Sequence, residues 1–184
     1  MQTVTFEKLA NAFDTKANPD SSLRRIQRFI ANYSFDSDLI ARLIFNLLPK
    51  QGKLILSIDR TNWKFGKSDI NYFVLAICYR KVAIPIYWIN LEKRGCSSDE
   101  EKIQLLEKFK NAFGFDRVSD LLGDREFIST RLLAYLEKEK VPYTLRIKSD
   151  HIITTSKGKD MRVEKIFKSL SVEEISVIEN ATLL

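Results

Sequence analysis

The chain has little of what most hydrolytic enzymes use for catalysis. Its 184 residues include one histidine, His151, and two cysteines, Cys78 and Cys96. These cannot build a four-ligand zinc site or a disulfide framework. They also exclude a Ser-His-Asp or Cys-His set unless His151 is the base, and His151 falls in a polar stretch where it reads as solvated. Both thiols read as free cysteines of a reducing cytoplasm. Glycine and proline are scarce, at six and four, against 45% hydrophobic and 29% charged residues, which excludes a disordered or low-complexity chain. Long apolar runs are missing too. Tyr72 to Tyr79 and Val82 to Ile89 fall well short of the roughly 20 residues that cross a bilayer, and the polar opening Met1-Gln2-Thr3 is no signal peptide. The expectation is a cytoplasmic globular protein with no membrane partner. Acidic residues are in deficit, 24 against 30 Lys and Arg, and the net charge of +6 favours a polyanionic partner.

What is present reads as helices first and a sheet afterwards. Thr5 caps a short helix with Phe6, Leu9, Ala10 and Phe13 on its apolar side. Pro19-Asp20-Ser21 opens a second, with Leu23, Ile26, Ile30 and Tyr33 on one stripe and Arg24, Arg25 and Arg28 on a neighbouring flank. A third runs from about Asp38 to Leu48 and ends at Pro49 and Gly52. From Lys53 the pattern changes. Leu54 to Ile58 is a short strand that stops at Asp59, before a polar segment containing Gly66. Ile70 to Tyr79 and Val82 to Ile89, separated only by Arg80-Lys81, predict an antiparallel hairpin. Pro85 lacks an N–H, which places its strand at an edge or at a bulge. Ser98-Asp99-Glu100-Glu101 is a capping box opening a helix that ends at Gly114. Val118 to Gly123 predicts a fourth strand, Phe127 to Glu139 a helix, and Tyr143 to Ile147 a fifth strand. This order predicts an α/β fold, a mixed sheet flanked by helices behind a small all-α module. The stretch from His151 to Leu184 reads as a β-rich extension.

Two aspartates occupy equivalent places, Asp59 after the first strand and Asp124 after the fourth, and each is followed by an arginine. If those strands are neighbours, both carboxylates emerge at one end of the sheet and can share hard divalent cations through oxygen ligands. Two such cations suit phosphoryl transfer because one activates the attacking oxygen and the other stabilises the leaving one. On spacing alone the alternative is two ordinary loop aspartates that cap a turn or pair with Arg60 and Arg125.

The stretches Leu56-Ser57-Ile58-Asp59-Arg60-Thr61-Asn62-Trp63-Lys64-Phe65-Gly66 and Leu122-Gly123-Asp124-Arg125-Glu126-Phe127-Ile128 resemble the first and second acidic motifs of DDE transposases of the insertion-sequence-four type. The resemblance spans roughly Ser22 to Lys168. It also covers Ala83-Ile84-Pro85-Ile86-Tyr87-Trp88 and Tyr143-Thr144-Leu145-Arg146-Ile147-Lys148. It implies an RNase H-like core that holds two Mg²⁺ or Mn²⁺ ions with two Asp and one Glu, Asp59 and Asp124 matching the first two ligands. The implied partners are double-stranded DNA, both transposon terminal repeats and target, and a second copy of the chain on paired ends. The implied reactions are phosphodiester hydrolysis and strand transfer.

The resemblance divides the chain into residues 1–52, a helical DNA-binding module; 53–150, the first part of the catalytic core; and 151–184, the start of a β-rich insertion. It departs from the family at the third acid, which belongs to a later helix in a Tyr, Arg, Glu, Lys signature. Glu164, Glu173, Glu174 and Glu179 lack that context, so the expectation is a chain truncated before its third ligand and catalytically incomplete alone. Further candidates for DNA contact are Arg24, Arg25 and Arg28, together with Lys64, Arg146 and Lys148; solvated surface explains the same residues. Arg125 and Glu126 are expected to orient Asp124 from behind. Trp63 and Phe65 either stack on a displaced base or pack over the sheet edge. The competing functions are a non-enzymatic DNA-binding remnant that competes with intact transposase, and an RNase H-like nuclease that completes its site with Glu126 or a downstream glutamate.

Overall fold

The computed structural model describes residues 5–14, 16–66, 68–91 and 95–183; the opening tripeptide lies outside them. The chain forms two compact units, Met1–Ser37 and Asp38–Leu184. Among the described residues no helix is long and apolar enough to cross a membrane.

The smaller unit is a pair of helices, α1 (Phe6–Asn11) and α2 (Pro19–Asn32). Thr5 caps the first through its side-chain oxygen, which accepts the Lys8 N–H, and Asn18 caps the second by accepting the Asp20 N–H. Ala10 and Ile26 are buried where the helices meet, whereas Phe29, Ile30 and Tyr33 stay more than half exposed.

The larger unit takes up α3 (Ser37–Leu47) from its second residue, so the division between units falls at the start of this helix. Ala41 and the following Leu48 join its core, and Phe45 stacks on Phe113 with ring centres 4.2 Å apart. The sheet contains β1 (Leu54–Phe65), β2 (Ser68–Tyr79), β3 (Val82–Asn90), β4 (Val118–Gly123) and β5 (Tyr143–Leu145), in the order β3-β2-β1-β4-β5. The first three strands are antiparallel, and β4 and β5 run parallel to β1. This is an RNase H-like mixed sheet, flanked by α4 (Asp99–Phe113) and α5 (Thr130–Lys138).

Several local predictions are met in detail. The capping box of α4 forms both ways: the Glu101 N–H donates to Ser98 Oγ at 3.3 Å and the Ser98 N–H to the Glu101 carboxylate at 2.6 Å. Arg80 and Lys81 make the two-residue hairpin turn with φ of 48° and 67°, the left-handed geometry that such turns require. Pro85 satisfies both of its alternatives. Its strand is the sheet edge, and the register jumps there, Leu75 facing Tyr87 while Ala76 faces Pro85. The extra residue, Ile86, is buried together with Tyr87.

One expectation is corrected. The first strand does not stop at Asp59 but continues to Phe65, paired residue by residue with β2 from Ile55↔Cys78 to Phe65↔Ser68. The polar side chains of Arg60, Asn62 and Lys64 suggest a loop. Thr61 and Trp63 alternate with them at strand period, however, and the β2 backbone supplies the hydrogen bonds. Asp59 therefore lies within β1, at the point where its parallel neighbour β4 ends.

After the sheet come β6 (Ile152–Thr154), β7 (Asp160–Arg162), the single turn α6 (Val163–Ile166) and β8 (Thr182–Leu183). The three strands form a separate small sheet in the order β7-β6-β8. His151 is half-buried at the entry to β6 rather than solvated, and its carbonyl accepts the Val163 N–H at 3.0 Å. Cys78 is half-buried and Cys96 exposed, and both are free thiols.

Candidate active site

The two faces of the five-stranded sheet carry different residues because side chains alternate along each strand. Leu56 and Ile58 of β1, Phe73, Leu75 and Ile77 of β2 and Leu121 of β4 face the helices and belong to one core with Leu105, Leu106 and Phe109 of α4 and Leu132 and Leu136 of α5. Ser57, Asp59 and Thr61 face the other way. They line an open groove of about 740 Å³ with Val74 and Ala76 of β2, Ala83 and Pro85 of β3, Leu122 and Asp124 at the end of β4, and Thr144 and Arg146 at β5. No helical residue contributes to that lining.

Parallel pairing brings the two acids together. The β1–β4 register runs Leu56↔Leu121, Ser57↔Leu122 and Ile58↔Gly123, so Asp59 and Asp124 each follow the last matched pair. Gly123 is required for this closeness. A Cβ at that position would lie 2.8 Å from Leu145 Cδ2 and 3.0 Å from Ile58 Cγ1.

Both carboxylates are exposed and both are anchored on one oxygen by the next residue's backbone. The Arg60 N–H donates to Asp59 Oδ1 at 2.7 Å and the Arg125 N–H to Asp124 Oδ1 at 2.8 Å. Asp124 also pairs with Arg146, Nη1 to Oδ1 3.3 Å, through an arginine side chain that is 79% exposed.

The turn after Asp124 is pinned from the covered side. Arg60 alternates inward from Asp59, and its guanidinium donates two hydrogen bonds to the Glu126 carboxylate, at 3.0 and 2.8 Å, and a third to the Gly95 carbonyl at 2.7 Å. The bonds to Glu126 raise the Arg60 pKa above its ordinary value, against the burial that lowers it. Phe127 is buried with its ring 5.5 Å from that of Phe73, and its carbonyl accepts from the buried Lys102 ammonium at 3.3 Å. Lys102 is balanced by Asp99 at 3.0 Å, which also accepts from Ser129 Oγ at 2.7 Å. Burial pushes the Asp99 pKa up, but the bonds from Ser129 and Lys102 outweigh it and hold the carboxyl below its usual range.

The remaining candidates are dispersed. Glu126 is engaged by Arg60 rather than by Asp124, and Arg125 meets Asp124 through its backbone. Arg146 stands in the groove, and Lys148 is exposed two residues beyond it. Lys64 is exposed too, but alternation directs it to the face opposite Asp59. Arg24, Arg25 and Arg28 are exposed in the smaller unit, Arg25 lying 5.9 Å above the Phe13 ring and Arg28 Nε donating to the Arg24 carbonyl. Trp63 lies on β1 with its ring 5.7 Å from Tyr72, and the Phe65 side chain lies outside the described residues. Glu164, Glu173, Glu174 and Glu179 are exposed. Among the described residues no three His, Cys, Asp or Glu side chains gather as a metal site. The sequence reading missed the Arg60–Glu126 clamp and the Arg146–Asp124 pair. The repeated Asp-Arg dipeptide signals an arginine near each acid, but not which arginine reaches which partner.

The donor set suits a hard divalent cation in kind, being carboxylate oxygens in an open groove, and falls short in number. Asp59 and Asp124 are the residues that would hold it.

No family model and no curated protein matches the sequence. Solved structures do match. The HTLV-2 integrase catalytic core domain in complex with magnesium, in its dimeric form, is 13% identical with a TM-score of 0.40, over 52% of this chain and 62% of that one. The simian T-cell lymphotropic virus intasome in complex with PP2A regulatory subunit B56 gamma is 13% identical with a TM-score of 0.42, over 79% of this chain and 53% of that one. The large terminase from a thermophilic bacteriophage is 16% identical with a TM-score of 0.35, over 55% of this chain and 24% of that one. The match thus spans less than two thirds of each of these chains.

Proposed function

We propose that the chain carries the first two acidic ligands of a DDE-type polynucleotidyl transferase of the insertion-sequence-four transposase kind, acting with Mg²⁺ or Mn²⁺ on double-stranded DNA at transposon ends and target, as a dimer on paired ends. The observation that carries this reading is the parallel β1–β4 register, which sets Asp59 and Asp124 side by side at the rim of an open groove. Bound divalent metal would activate the attacking oxygen and stabilise the leaving one. The chain's own residues supply the rest. Asp59 and Asp124 are held by backbone N–H donors, and the Arg60–Glu126 clamp keeps the two acid-bearing segments in register. Arg146, with guanidinium donors to spare after its single contact to Asp124, is placed to meet a phosphate oxygen beside them. The site needs a further acidic ligand, and no described residue brings one to the pair.

That shortfall favours a second reading, a DNA-binding protein that occupies ends without cutting them. Incubating end-labelled duplex and supercoiled plasmid with the protein and Mn²⁺ separates the two. Nicking that disappears in Asp59→Ala and in Asp124→Ala supports the enzyme, and binding without nicking supports the second reading. Nicking that survives both substitutions overturns the site.

A further inference from the structure

Both tryptophans of the chain stand on the sheet face that carries the acids, Trp88 in the row of Asp59 and Trp63 four residues along β1 from it. Trp88 of β3 faces Val74 of β2, which faces Asp59 of β1, so Trp88 and Asp59 lie in one row across three strands. One row further along are Thr61, Tyr72 and Asn90, and beyond them Trp63 faces Ile70. Tyr72 is thereby the diagonal neighbour of Trp63 on one side and of Trp88 on the other, so the three fall along one line across three adjacent strands. The Trp63 and Tyr72 rings lie 5.7 Å apart.

These rings are treated differently from the other large aromatics of the sheet. Phe73 and Tyr87 are at most 1% exposed and Tyr79 and Tyr143 half-buried, as is Tyr72, whereas Trp63 is 46% and Trp88 43% exposed. Nothing in the core needs their faces, and the hydroxyl of Thr61 and the amide of Asn90 flank the central ring on the same side. The small side chains Ser57, Ala76 and Ala83 floor the groove on the other side of Asp59. The carboxylates thus sit at the border between a floor of small side chains and an aromatic, uncharged stripe that leads to them.

The geometry points to a stacking platform for unpaired nucleotides: Trp63, Tyr72 and Trp88 bind the bases of a single strand and lead its backbone to Asp59 and Asp124. This deepens the polynucleotide reading given above and rests on it. Three π faces along one line suit bases of any identity, so the platform is tolerant of sequence and selects unpaired over paired nucleic acid. The cation over the adjoining backbone is Arg146, on the same face next to Asp124.

Because the chain has no other tryptophan, intrinsic fluorescence reports the platform directly. Titration of the protein with an oligothymidylate single strand, without metal, is expected to quench that emission. A duplex of equal length, whose bases are already paired and stacked, should quench it less. Trp63→Leu and Trp88→Leu are each expected to weaken single-strand binding by about fivefold or more, followed by anisotropy of a labelled strand, with Trp63→Phe and Trp88→Phe restoring most of it. Circular dichroism confirms that the variants are folded. Raising the salt weakens all of these proteins while the ratio between them persists, since stacking, unlike phosphate pairing, releases no counterions. The titration is run without metal, so failure of the metal site leaves this result standing. Single-strand binding that is equal in the leucine variants overturns the platform, and so does duplex binding that falls in those variants as much as single-strand binding does. Self-association that vanishes in Trp88→Leu while DNA binding does not would assign the stripe to a second copy instead.

Discussion

The same five strands present two unlike surfaces. Toward the helices they place Leu56, Ile58, Phe73, Leu75, Ile77 and Leu121, each at most 3% exposed. Toward the groove they place Ser57, Asp59, Thr61 and Ala83, polar or small, with Arg146 just past the end of β5. One face holds the protein together, and the other leaves room for a ligand on a floor that the first keeps rigid. The acids belong to the open face, yet what fixes their position lies beneath them, in the Arg60–Glu126 clamp, the Phe127 ring and the Lys102–Asp99 pair. Changes on the covered side should therefore act through stability, and changes on the open side through binding.

The sharpest break of this division comes from Phe127. Truncation to alanine removes a ring packed on Phe73 and loosens the turn that starts at Asp124, with an expected loss of about 3–5 kcal/mol in denaturant unfolding. A loss under about 1 kcal/mol would mean that the turn is held elsewhere.

Gly123→Ala tests the contact between faces more gently. The new methyl meets Leu145 and Ile58 at distances that force both to move, and overpacking of this kind costs about 1–3 kcal/mol. Wild-type stability here would show that β1, β4 and β5 are not drawn together at the acids.

The Asp99 pair has a direction in pH. Its folded pKa is depressed, so the unfolded chain takes up the proton first. The contribution is complete above the ordinary carboxylate range near about pH 4 and is lost as the pH falls through the folded value. Asp99→Asn should lower stability by about 1–2 kcal/mol at neutral pH, leaving buried Lys102 without its counter-charge. The variant should also flatten the fall in unfolding midpoint between about pH 6 and pH 3. An equally steep fall in the variant would assign the acid sensitivity to other carboxylates.

Much of this division was legible in the residues. The capping box Ser98 to Glu101, the two-residue turn at Arg80-Lys81 and the bulge at Pro85 are local signals, each with a chemical cause within a few positions. The pairing of strands one and four was only a condition on spacing alone; the juxtaposition of Asp59 and Asp124 was expected from the family resemblance. What could not be read depends on partners far along the chain. Arg60 to Lys64 resembles a loop until β2 is laid beside it, and the clamp joins residues 66 positions apart. Which face is left open depends on where the helices pack, so the sequence offers Trp63 for stacking beside Phe65 but not in one line with Tyr72 and Trp88.

The central claim, that Asp59 and Asp124 form one metal-binding pair on the open face, is tested most directly by Mn²⁺ binding, following free Mn²⁺ by electron paramagnetic resonance. Both side chains are exposed, so Asp59→Asn and Asp124→Asn should change stability by no more than about 0.5 kcal/mol and leave the comparison clean. The account predicts that the protein binds Mn²⁺ weakly, its site being short of an acidic ligand among the described residues, and that either substitution abolishes the binding. Mn²⁺ binding that is undiminished when both aspartates are replaced would contradict it.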